Sequence, residues 1–135
     1  MATFHAKSLE LALEALLATG TPKLAFMATT YTPNAETDQY WSDISSDIAS
    51  GTTLRTLTGV VVSIDTSNDR VTIDFDNPSE TPVTASTDKC ALIVDTGTPA
   101  TSPVVITATI SPELNPVGGT LTLTVNALGL GGINY

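Results

Sequence analysis

Apolar and polar positions change their period along this chain, and the changes mark its elements. Leu9, Leu13, Leu16 and Leu17 recur at helical spacing, with Leu11 and Ala12 alongside, which predicts a short helix over Ser8 to Thr19. Ser8 is placed to cap its start, and Gly20 followed by Pro22 ends it. Lys23 to Thr30 is a short apolar run closing in two threonines, and predicts a first strand. Thr32-Pro33-Asn34 breaks that strand, because the residue before proline avoids helical angles. Asn34 then suits the cap of a second helix, from Ala35 to about Ile48. Tyr40, Ile44 and Ile48 would share its buried face beside Trp41, with Glu36, Asp38, Asp43 and Asp47 opposite.

After Gly51 the period becomes two. Val60, Val62 and Ile64 alternate with Val61, Ser63 and Asp65, and Val71, Ile73 and Phe75 alternate with Thr72, Asp74 and Asp76. The turn cluster Thr66-Ser67-Asn68-Asp69 joins them into a β-hairpin with one buried face. Pro82 to Ala85 fits a short edge strand, where proline is tolerated. Lys89 to Asp95 is a continuous apolar run and predicts a central strand. Val104 to Ile110 and Leu121 to Val125 alternate again, with Pro112 to Gly119 a long turn between them. The tail from Leu128 to Tyr135 is rich in glycine and apolar residues, which predicts that it docks on its own sheet or reaches a neighbour.

Composition sharpens the class. The chain has 24 threonines against seven aromatic residues, and β-branched threonine suits the solvent face of a pleated strand. Spaced short strands with proline and glycine between them predict a mainly β fold. The expected form is an antiparallel β-sandwich of about seven strands, with one or two short helices near the N-terminus. A closed barrel is the competing architecture. The 135 residues suit a single domain over 1–135, with 1–21 an N-terminal arm and helix and 127–135 a C-terminal tail.

Charge narrows the partners. The net charge of −9 opposes nucleic acid and acidic membranes, and the five basic residues form no cluster in sequence. The apolar stretch Leu9 to Ala18 is too short to cross a bilayer. Glu10 and Glu14 also make it a poor signal peptide, so synthesis in the cytoplasm is expected. With one cysteine, Cys90, and one histidine, His5, neither an intrachain disulfide nor a zinc centre is expected.

Candidate chemistry is sparse. Val94-Asp95-Thr96-Gly97 after an apolar strand resembles the catalytic loop of the dimeric aspartic proteases. Their second signature, a later strand running into Gly-Arg-Asn or Gly-Arg-Asp, has no counterpart after Arg70. Asp65, Asp69, Asp74 and Asp76 gather around the hairpin. Turn chemistry and solubility account for them more simply than calcium does. Tyr31, Tyr40 and Trp41 would suit a sugar-stacking platform, although core packing is the favoured use of so few aromatics. Cys90 opens an apolar strand and reads as a small hydrophobe. No phosphate-binding glycine loop is present, and no catalytic residue, cofactor or metal is expected.

From about Lys23 to Tyr135 the order of motifs resembles a family of small tailed-bacteriophage structural proteins. The resemblance runs through Tyr31-Thr-Pro-Asn34, an aromatic before Ser42-Asp43-Ile44, and Ser50-Gly51. It continues through Asp65-Thr-Ser-Asn-Asp69, Asp74-Phe-Asp76, Ala91-Leu-Ile-Val-Asp-Thr-Gly97 and Val104 to Ile110, and ends with Thr120 to Asn126 and a Gly-Leu-Gly closing. Such proteins often carry a longer glycine- and tyrosine-rich loop after the helix. Here Ser50-Gly51-Thr52-Thr53 runs almost directly into Leu54.

The resemblance implies a non-enzymatic virion component present in many copies, favouring a capsid decoration (cement) protein on the capsid surface. Its implied partners are the major capsid protein and further copies of itself, a trimer fitting local capsid symmetry. Contacts would run through the terminal segments, with Phe4, Leu130, Ile133 and Tyr135 as candidates. The alternatives are a tail or baseplate module, a glycan-binding module and, least favoured, the protease.

Overall fold

The computed structural model describes residue 3, residues 5–125 and, for the backbone alone, residues 131–134. The fold is mainly β, with antiparallel sheets around shared apolar layers. A four-stranded sheet has the order β2-β1-β6-β7, from β1 (Thr21–Met27), β2 (Arg55–Thr56), β6 (Thr87–Asp95) and β7 (Val104–Leu114). A second sheet has the order β3-β4-β9, from β3 (Val61–Asp65), β4 (Arg70–Asp74) and β9 (Gly131–Asn134). β5 (Ser79–Val83) and β8 (Gly119–Thr122) form a two-stranded ribbon. Helix α1 (Ala6–Leu17) packs against β3 and β4.

The centre of the molecule is β1 paired with β6, in register from Thr21 opposite Asp95 to Met27 opposite Lys89. Side chains alternate across a sheet, so the two strands feed two layers. Leu24, Phe26, Cys90, Leu92 and Val94 enter one cluster with Leu13 and Leu17 of α1, Val71 and Ile73 of β4, and Leu121 of β8. Ala25, Met27, Ala91 and Ile93 enter the other, with Tyr31 and Ile44. Both faces of the sheet are covered, which is why these strands read as continuous apolar runs rather than alternating ones. Thr87 is fully buried and donates its hydroxyl to the carbonyl of Met27 at 2.6 Å.

The predicted hairpin is present as β3 and β4, with Val62 paired to Ile73 and Asp65 to Arg70 across the four-residue turn. The tail's strand β9 pairs with β4, placing Ile133 opposite Val71, so that part of the tail docks on its own sheet.

Four expectations are corrected. The first helix begins at Ala6, two residues before the expected cap Ser8, and His5 holds the cap position. The carbonyl of His5 accepts the N–H groups of Ser8 and Leu9, which brings Ser8 inside the first turn. The expected helix from Ala35 to Ile48 is reduced to α2 (Trp41–Ile44) and a 3-10 turn at Ser45–Asp47. Asp43 takes two backbone donors that would have continued it, accepting Gln39 N–H and Tyr40 N–H, and so starts a new helix at Trp41. Tyr40, expected in the core, is 42% exposed. The expected turn from Pro112 starts late, since β7 continues to Leu114, which sits opposite Thr87 after a register shift.

Candidate functional site

The segment from Ala28 to Ile48 forms the outer layer over the second apolar cluster. It is tied to the sheet within its length and just past its end: Trp41 N–H donates to Ser102 O at 2.8 Å, Val104 N–H to Gln39 O at 2.9 Å, and Ala49 N–H to Phe26 O at 2.8 Å. Tyr31 is buried, and its hydroxyl donates to Asp38 at 2.8 Å. Burial, then the hydrogen bond to Asp38, raises the tyrosine's pKa far above its ordinary value. Asp38 is held below the usual carboxylate range, chiefly by the Asn34 N–H. Trp41 is half-buried against the second cluster. Tyr31 therefore serves the core, and only Tyr40 of the three candidate aromatics is exposed.

Asp95, the centre of the protease-like motif, faces Lys23 at 2.6 Å. It also accepts Gly97 N–H at 2.8 Å, the geometry of a turn that its own side chain closes. The Lys23 hydrogen bond is the main reason its carboxyl is held low, followed by Gly97 N–H. An aspartate paired with an ammonium is a poor member of a proton-sharing dyad, which needs one carboxyl protonated.

Three of the four hairpin carboxylates are likewise engaged locally. Asp65 accepts Ser67 N–H, Asn68 Nδ2 and Arg70 Nε, and the Asn68 contact is the main cause of its lowered pKa. Asp74 accepts Phe75 N–H, and Asp76 accepts the Thr58 hydroxyl. Among the described residues no three His, Cys, Asp or Glu side chains are grouped as a metal site. Cys90 is fully buried, and burial pushes its thiol up to about 12.

A different feature stands out once the strands are ordered. β7 is the last strand of the four-stranded sheet, and no strand among the described residues pairs with its outer edge. Beside it lies an open groove of about 450 Å³ between the turn Asn34, Ala35, Asp38 and Gln39 and the strand residues Val104 to Thr107. Sequence reading identifies β7 as a strand but not as an edge, because edge position depends on strand order. The signal that could have marked it is the run from Thr96 to Pro112, which contains no charged residue.

Of the candidate contact residues, Phe4, Leu130 and Tyr135 lie outside the described residues, and for Ile133 only the backbone in β9 is described. No described helix is long and apolar enough to cross a membrane. Comparison of the chain with protein-family models, curated proteins and solved structures finds no match in any of the three.

Proposed function

We propose that this chain is a non-enzymatic structural protein of a tailed-phage virion. Within that class we assign it as a capsid decoration protein that stabilises the head by bridging copies of the major capsid protein. The observation that carries the reading is a contrast. The carboxylates that could do chemistry, Asp38, Asp65 and Asp95, are engaged in closing turns and pairing strands, while β7, uncharged over residues 104–112, has no strand on its outer edge among the described residues.

Such a protein works through binding energy alone. Many copies on a lattice bind with avidity even when each contact is weak. A net charge of −9 keeps free copies apart until a specific surface engages. The order of sequence motifs supports the phage assignment, and the double-sided sheet supplies the rigid body such a role requires.

The test is fractionation of purified particles into heads and tails, with the chain identified by mass spectrometry in each. Recovery with the heads supports the decoration role. Recovery only with tails assigns it to the tail or baseplate, and absence from both sinks the virion reading.

A further inference from the structure

We infer that Val117, at the tip of the turn between β7 and β8, is a contact side chain that enters an uncharged apolar socket on the major capsid protein. This rests on the reading of the chain as a capsid decoration protein and names a point through which it grips the head.

The tip is a tight turn. Gly119 N–H donates to Pro116 O at 2.9 Å, and the two central residues, Val117 and Gly118, have φ of +47° and +81°. Two positive φ values mark a type I′ turn, whose central positions favour Asn, Asp or Gly. A β-branched residue there is strained, because its Cβ crowds the following carbonyl oxygen. At the other left-handed positions among the described residues the chain avoids that strain. Glycine holds positions 51, 59, 97 and 118, and Asp69 holds the hairpin turn. Val117 is the exception.

Packing does not account for it. Val117 is 76% exposed, the most of any large apolar side chain described, ahead of Val61 at 55%. A Cβ added to Gly118 beside it would meet no atom within 4 Å, so the tip stands clear of the body. Asparagine would turn the chain with less strain and expose less apolar surface. Strain kept at an exposed apolar position points to a role outside the fold.

The tip is also held in place. Gly118 N–H donates to Val83 O at 2.7 Å, Gly119 pairs with Val83, and Thr81 donates its hydroxyl to Gly119 O at 3.4 Å. A stiff, β-branched side chain on a fixed turn has little freedom left to lose on binding.

Charge selects the chemistry of the partner. Every charged side chain of this protein lies within residues 1–113, so the turn offers a basic groove no carboxylate of its own. An uncharged apolar socket fits it instead. A second copy brings the same net charge of −9 and is repelled, which leaves the capsid protein as the partner.

The experiment measures head binding and folding stability on the same full-length chains. Purified expanded heads lacking this protein are titrated with the natural chain, Val117→Asn and Val117→Thr, and each free chain is melted. Val117→Asn relieves the turn and should raise the melting temperature of the free chain by about 3 °C. It should also weaken head binding about tenfold or more, as loss of a buried anchor does. Val117→Thr keeps the branched shape and the strain but adds a hydroxyl, so it should melt with the natural chain and still bind more weakly.

Either variant binding heads as tightly as the natural chain overturns the inference. A melting temperature that fails to rise in Val117→Asn also overturns it, because valine then serves the fold. Sedimentation of the free chains tests the other occupant: self-association that disappears in Val117→Asn places the socket on a second copy and overturns the assignment to the capsid protein. A natural chain that does not bind heads removes the decoration reading and this contact together. Equal binding by all three chains removes the contact alone.

Discussion

Lys23 and Asp95 lie diagonally across the β1–β6 pair and close an ion pair of 2.6 Å at the end of the central strands. Asp95 sits opposite Thr21, and Lys23 opposite Ile93, so both side chains stand on the same face. Each is about one-quarter exposed (25% and 24%), which limits the pair to about 1 kcal/mol or less. Asp95→Asn should therefore lower stability modestly in urea denaturation and leave the fold intact. Because the folded carboxyl titrates below its unfolded value, its contribution is complete above the ordinary aspartate pKa of about 4. That contribution is lost as pH falls through the folded value. The acid limb of the stability curve should be shallower in Asp95→Asn than in the natural chain.

The buried tyrosine governs the opposite limb. Tyr31 has a raised pKa in the folded state, so its neutral form is the stable one. The stabilisation is present below the ordinary tyrosine value of about 10 and declines as pH rises beyond it. Tyr31→Phe should cost about 1 kcal/mol near neutrality through the lost hydrogen bond to Asp38. It should also flatten the alkaline decline, which chemical denaturation at several pH values would measure.

Cys90 reports on the core. It lies opposite Phe26 in the β1–β6 register and has no exposed surface. A thiol reagent should modify it at a rate set by opening of the central sheet, slowing as stability rises. Rapid, stoichiometric labelling of the native protein at neutral pH would contradict this packing.

Leu92 faces Leu24 in the same layer, and both are fully buried. Leu92→Ala should destabilise by about 2–5 kcal/mol, the usual range for a large-to-small core change. Gly20 poses the opposite problem, since an added Cβ would sit 2.5 Å from the Asp95 carbonyl oxygen. Gly20→Ala should therefore be destabilising, by displacing the turn between α1 and β1, with a lowered melting temperature as the readout.

The local parts of the fold were readable from sequence. The β3–β4 hairpin announced itself because a period of two and a turn cluster are contiguous in the chain. Cys90 to Val94 could be read as central because a strand covered on both faces has no polar side. The helix expected after Asn34 failed for a local reason. Asp43 falls on the polar side of the expected helix yet binds the backbone N–H groups of Gln39 and Tyr40, which periodicity does not register. The pairing of β9 with β4 spans some sixty residues and depends on topology, as does the edge position of β7. The candidate surface was thus invisible in any single segment, although its lack of charge was in plain sight.

The central claim, stabilisation of a phage head, is tested most directly by calorimetry of purified expanded heads that lack this protein. Heads are melted before and after addition of the folded chain in excess, with sedimentation to confirm that it is bound. The account predicts saturable binding to the heads and a higher melting temperature for the capsid transition. An unchanged capsid transition under saturating protein, or binding confined to tail tips, would contradict it.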